Sequence, residues 1–203
     1  MCDVNIRLLR DKEEDYKLLE SWYQEEEIYS SFEQRKLNYK EIKEKYYPRT
    51  LKTAKIPVYM IEYKDKPVGI IQYKLVEEED KKLYKLTGNN IYEIDIFIGE
   101  LKEHNKGIGS KAINIMSNLL KKEKNAEILV MCPLENNIKA INCYKKCGFY
   151  IKDYFDTKKT PLNNDLIVMH QDGKNASTYK ISNFELFKKS ANRYVVSLEF
   201  NDK

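Results

Sequence analysis

His104-Asn105-Lys106-Gly107-Ile108-Gly109-Ser110-Lys111 lies between two strongly patterned segments and decides how the chain is read. On its C-terminal side, Ile108, Ala112, Ile115 or Met116, and Leu119 recur at helical spacing, which predicts a helix over 107–122. On its N-terminal side, Ile91-Tyr92-Glu93-Ile94-Asp95-Ile96-Phe97-Ile98 reads as a strand covered on both faces. The glycines let the backbone approach a bulky anion, and a helix start presents N–H groups at its positive dipole end. Lys106 and Lys111 add charge, so the segment has the form of a pyrophosphate cradle. A short Gly-x-Gly also serves plain helix starts. Here it is neither a Walker loop nor a complete Gly-x-Gly-x-x-Gly.

The strand before the loop carries Glu93 and Asp95, two residues apart and therefore on one face. Unpaired buried charge is costly, so two readings stand: a structural ion pair, or a face that lines a cavity.

Further out, Ile6 to Leu9 reads as a first strand, and acidic Asp11 to Asp15 opens a helix continuing through Leu18, Leu19 and Trp22. Asn38 caps a second helix that Pro48 ends. Val58–Tyr63 and Val68–Val76 form a hairpin across Lys64-Asp65-Lys66-Pro67. The acidic tract Glu77-Glu78-Glu79-Asp80 and Thr87-Gly88-Asn89-Asn90 are expected as the next loop. Ile128 to Met131 is a short strand stopped by Pro133, and a helix over 137–147 ends at Gly148. Residues 149–155 and 166–169 are expected as the last strand pair. This order predicts an α+β domain over 1–172, with a mixed sheet and helices on both faces. Residues 173–203 form a C-terminal extension with a helix near 184–189 and a strand near 194–200. It could pack on the core, pair between chains, or be the remnant of a lost domain.

The composition narrows the function classes. The 203 residues are 42% hydrophobic and 33% charged, as in a globular protein. The 36 basic residues are set against 32 acidic ones, a mixed surface unlike the one-sided stripe of a nucleic-acid binder. No stretch is apolar enough to span a membrane, and Met1-Cys2-Asp3-Val4-Asn5 shows no secretory pattern, so a cytoplasmic protein is expected. Cys2, Cys132, Cys143 and Cys147 lack zinc-like spacing, and only His104 and His170 are histidines, so no metal is expected. Acidic clusters such as Glu25-Glu26-Glu27 are either a solvated face or a local field for a cationic substrate.

Thirty residues beyond Gly107, the chain reads Asn137-Ile138-Lys139-Ala140-Ile141-Asn142-Cys143-Tyr144-Lys145-Lys146-Cys147-Gly148-Phe149. Together with Lys106-Gly107-Ile108-Gly109 after an acid-bearing strand, this resembles the two signatures of the GNAT acetyltransferases, in order. A finer resemblance, over about residues 5–172, is to aminoglycoside 6'-N-acetyltransferases, especially the acetyltransferase half of the bifunctional acetyl/phosphotransferases. Its supports are Leu18-Leu19-Glu20-Ser21-Trp22, Ile61-Glu62-Tyr63, Pro67-Val68-Gly69, Gln72 and Asp95-Ile96-Phe97-Ile98-Gly99.

The resemblance implies a mostly antiparallel GNAT sheet splayed between strands four and five, and direct acetyl transfer from acetyl-CoA to a bound amine. Asp95 matches the catalytic carboxylate, and Tyr144 the tyrosine near the coenzyme sulfur, although with 16 tyrosines packing is an alternative for it. Backbone groups of Phe97 and Ile98 would bond pantetheine. Lys106, Gly107, Ile108, Gly109, Ser110 and Lys111 would hold the pyrophosphate, and Asn137 would also contact the cofactor. A polycationic aminoglycoside would meet Trp22, Glu25, Glu26, Glu93 and Asp95. Core packing is the other reading of Trp22. Cys132 stands where the relatives have a drug-binding aspartate, which keeps another amine, such as a polyamine, peptide or metabolite, as the alternative acceptor. The expected partner is one small molecule, on a monomer or homodimer.

Overall fold

A computed structural model describes residues 3–33, 35–155 and 193–199. The chain divides into two compact units, Met1–Lys74 with Ile94–Asn118, and Leu75–Glu93 with Leu119–Lys203.

In the first unit, β1 (Val4–Leu8), β2 (Val58–Tyr63) and β3 (Lys66–Leu75) form an antiparallel ladder, with Ile6 opposite Ile61 and Met60 opposite Ile70. Strand β4 (Ile91–Ile98) gives this unit its last five residues. Helix α1 (Glu13–Trp22) starts on three acids, which suit a positive helix end. Helix α3 (Tyr39–Tyr46) opens with a complete capping box, in which Asn38 accepts from the Glu41 N–H and Glu41 accepts from that of Asn38. The 3₁₀ turn Tyr47–Thr50 then takes over at Pro48. Tyr16, Leu19, Tyr23, Ile42, Tyr46, Met60, Ile70 and Phe97 fill one buried cluster. A separate polar knot ties β1 to α1. Fully buried Asp15 accepts from Arg7 and Arg10 through both carboxylate oxygens, and Arg7 also reaches Glu62.

In the second unit, β5 (Ile128–Met131) runs parallel to the start of β4, with Ile91 opposite Ile128 and Glu93 opposite Val130. Antiparallel β7 (Arg193–Glu199) pairs with β5 on one side and β6 (Tyr150–Phe155) on the other. The strand expected near 194–200 is thus present and completes this ladder. The strand expected at 166–169 and the helix at 184–189 lie outside the described residues. The structure corrects one expectation here. The acidic tract is not simply a loop: Glu78–Leu83 is helix α4, with Glu78, Glu79 and Asp80 at its positive end and Lys81 folding back on Glu78. A further short helix, α2 (Glu26–Phe32), belongs to the first unit.

Helix α5 (Ile108–Lys124) follows the glycine turn at 107, and helix α6 (Ile138–Lys146) follows Asn137.

Candidate active site

The first unit holds Asp95 and the glycine turn. Asp95 is half-buried on β4, where one carboxylate oxygen, Oδ2, accepts from Gln72 Nε2 at 3.0 Å. The ladder between β4 and β5 ends at Glu93 and Val130, so Asp95 to Ile98 carry no register pair with β5 among the described residues.

The turn has the geometry an anion site requires. Gly107 adopts φ +77, a left-handed conformation, and a Cβ there would meet nothing within 4 Å. Lys111 makes the first α5 bond, to the Gly107 carbonyl at 3.1 Å, so the N–H groups of Ile108, Gly109 and Ser110 precede it at the open end. Helices α1, α2 and α4 each place two or three acids in their first turn, whereas α5 has none there. Lys106 and Lys111 are exposed beside that helix start, which suits an anion. A pyrophosphate fits these residues. Lys106 also bonds Glu103 at 2.9 Å.

Phe97 and Ile98 lie just upstream. Phe97 is buried in the core, and the Ile98 carbonyl is bonded to His104 Nε2 at 2.7 Å. The other His104 ring nitrogen lies 3.6 Å from Glu27 on α2. Trp22 sits in the core, 2% exposed, with its ring edge-on to Phe97 and its N–H on Glu100 at 3.1 Å. A Cβ on Gly99 would run into the indole, so glycine is needed for this seat. Trp22 therefore presents no open stacking face, while Glu25 and Glu26 at the start of α2 are exposed.

The second unit holds Glu93, Cys132, Asn137 and Tyr144. Glu93 is buried and accepts from the Tyr84 hydroxyl at 3.2 Å. Burial and the adjacent Glu93 charge push that hydroxyl far above the usual phenol range, so it stays protonated and donates. Each acid thus accepts from a neutral donor, Glu93 from Tyr84 and Asp95 from Gln72. Asn137 caps α6, its side-chain oxygen accepting from the Ala140 N–H at 3.1 Å. Tyr144 is buried, with its ring against Phe149.

Sequence reasoning counted Gln72 toward the resemblance and passed over Arg49 altogether. Gln72 is 5% exposed in an otherwise apolar run, and its Oε1 accepts from Arg49 Nη1 at 2.7 Å. A lone amide inside Val68–Tyr73 was the available signal, because a buried amide requires partners. Among the described residues, no three His, Cys, Asp or Glu side chains form a group that could hold a metal. No described helix is long and apolar enough to cross a membrane.

The acetyltransferase (GNAT) domain model matches residues 11–157, and the chain belongs to that family. Beyond the family, the chain is 25% identical to the aminoglycoside N(6')-acetyltransferase type 1 of Klebsiella pneumoniae and to that of Serratia marcescens, over 72% of this chain and 73% of each relative. A crystal structure of aminoglycoside acetyltransferase AAC(6')-Ib with coenzyme A and kanamycin superposes with a TM-score of 0.69 at 18% identity, covering 97% of this chain and 94% of that one. The spermidine N-acetyltransferase of Vibrio cholerae, solved with CoA and spermine, superposes with a TM-score of 0.67 at 15% identity, covering 98% and 96%. At these identities the two structures establish the fold alone.

Proposed function

We propose that this chain transfers the acetyl group of acetyl-CoA to the 6'-amine of an aminoglycoside, with Asp95 as the proton acceptor. The observation that carries the transfer reaction is the acid-free, glycine-lined start of α5, directly downstream of the strand bearing Asp95. The 25% identity to two aminoglycoside N(6')-acetyltransferases supports the choice of acceptor.

Acetyl-CoA supplies a thioester, so the new N–C bond forms as the C–S bond breaks. The N–H groups at 108–110, with Lys106 and Lys111, hold the pyrophosphate as the positive end of a helix holds anions. Backbone groups of Phe97 and Ile98 serve pantetheine. The Asn137 oxygen accepts at the cap, and its Nδ2 group is the donor this side chain can offer the cofactor. Asp95 orients the substrate ammonium and takes its proton, directly or through water, which frees the lone pair that attacks. Tyr144 returns a proton to the departing thiolate.

A second acceptor, a polyamine, peptide or metabolite amine, is favoured by specific placements. Trp22 is in the core, Glu93 is closed in by Tyr84, and Cys132 occupies a position where the resemblance leads one to expect an acid. Free-thiol release from acetyl-CoA, measured with kanamycin, tobramycin, gentamicin, spermine and a free-amine peptide, separates the two. Turnover confined to drugs with a 6'-amine supports the first reading. Turnover with spermine or the peptide alone discards it, and no turnover with any amine discards the transfer itself.

A further inference from the structure

We propose that Gln72 and Arg49 are positioning residues that fix the Asp95 carboxylate so that Oδ1 is the atom that receives the amine proton. This rests on the reading of Asp95 as proton acceptor.

Three groups form a chain. Arg49 Nη1 donates to Gln72 Oε1 at 2.7 Å, and Gln72 Nε2 donates to Asp95 Oδ2 at 3.0 Å. The direction of this chain is set by chemistry. A guanidinium only donates and a carboxylate only accepts, so the amide between them has one workable orientation. Turned over, it would face N–H against N–H at one end and oxygen against oxygen at the other. Arg49 therefore decides which end of Gln72 meets Asp95.

Arg49 is itself held. It follows Pro48 in the 3₁₀ turn, where Thr50 Oγ1 donates to the Tyr47 carbonyl at 2.8 Å. Its guanidinium lies 5.2 Å from the centre of the Tyr46 ring. The Tyr46 hydroxyl is in turn bonded to that of Tyr23 at 2.7 Å inside the core. A buried amide held at both ends transmits this rigidity to the carboxylate.

Asp15 in the same unit shows what direct contact with arginine does. Both its oxygens are taken by Arg7 and Arg10, which makes it a structural anchor. Interposing Gln72 keeps the guanidinium one amide away from Asp95 and occupies a single oxygen. Oδ1 then has no partner among the described residues, and its lone pairs are available to a substrate N–H.

The test uses the full chain, acetyl-CoA, and whichever of kanamycin, spermine or free-amine peptide the unsubstituted protein turns over fastest. Gln72→Leu is expected to lower kcat about 10- to 100-fold while the acetyl-CoA KM stays within about 2-fold, the signature of lost orientation. Arg49→Met is expected to lower kcat about 3- to 10-fold, and Arg49→Lys to recover most of that loss. Because Arg49 acts through Gln72, the double variant should be no slower than Gln72→Leu alone. A kcat within about 2-fold of the unsubstituted protein in both Gln72→Leu and Arg49→Met, or losses that multiply in the double variant, overturns the proposal. If Gln72→Leu does not fold, the Arg49→Met and Arg49→Lys comparison decides: a loss that lysine rescues supports the relay, and no loss overturns it. Failure of the parent reading is separate, and would show as undiminished turnover in Asp95→Asn.

Discussion

The two ends of β4 carry one carboxylate each, two residues apart, and the protein treats them oppositely. Glu93 belongs to the end still paired with β5; it is buried and bonded to Tyr84. Asp95 belongs to the end beyond that ladder; it is half-buried and bonded through one oxygen to an amide. Identical spacing and similar chemistry therefore yield one acid that the fold consumes and one that it leaves available. What separates them is where strand pairing stops, together with the donor that the neighbouring segment supplies.

Several substitutions would break or sharpen that contrast. Asp95→Asn should have the largest effect, lowering kcat by about 10²- to 10⁴-fold with little change in the melting temperature. A mutant with normal turnover in thiol-release assays would remove Asp95 from proton transfer. Gly107→Val places a β-branched residue at φ +77, where L side chains are strained. We expect it to raise the acetyl-CoA KM at least about 10-fold by moving the N–H groups at the helix start. An unchanged KM in initial-rate measurements would detach the turn from cofactor binding.

Glu93→Ala should act on stability, costing about 1–3 kcal/mol because the buried Tyr84–Glu93 hydrogen bond is removed. Its kcat in the folded protein should remain within about 3-fold of normal, since Asp95 and Tyr144, the groups assigned to proton transfer, are untouched. Urea unfolding and turnover together check this, and a large loss of kcat without loss of stability would erase the contrast with Asp95.

The smallest effect concerns pH. Burial by itself would raise the Asp15 carboxyl, but hydrogen bonds from Arg10 and Arg7 outweigh it and hold the group at about 2. The carboxyl is depressed in the folded state relative to the unfolded one. Its contribution is therefore fully present above the unfolded value and lost as pH falls through the folded one. Integrated, it amounts to about 2 kcal/mol, lost between roughly pH 5 and pH 1. Urea midpoints followed down to pH 2.5 should fall less steeply in Asp15→Asn than in the unsubstituted protein; parallel slopes would assign the acid sensitivity elsewhere.

Much of the frame was legible in sequence because its signals are local. The Asn38 cap with Glu41 three residues on, the apolar stripe of α5 and the Gly148 stop depend on neighbours within a few residues. Helix α4 is not legible in the sequence because its six residues, most of them charged, show no apolar period. Its support is the match of three acids to the helix start and the Lys81–Glu78 pair. Trp22 carried two readings in the sequence, and only the seat offered by Gly99 and Glu100 separated them.

The sequence by itself determined the family, the order of the principal elements and the identity of the glycine turn, because motif spacing and hydrophobic period survive without knowledge of long-range contacts. The tertiary structure alone decided three things: that β7 pairs with β5 and β6, that Glu93 faces Tyr84, and that Arg49 reaches Asp95 through Gln72. Each joins residues far apart along the chain or on different elements. The physical reason is that a buried polar atom takes whichever partner the fold brings within about 3 Å, and no local pattern specifies that partner.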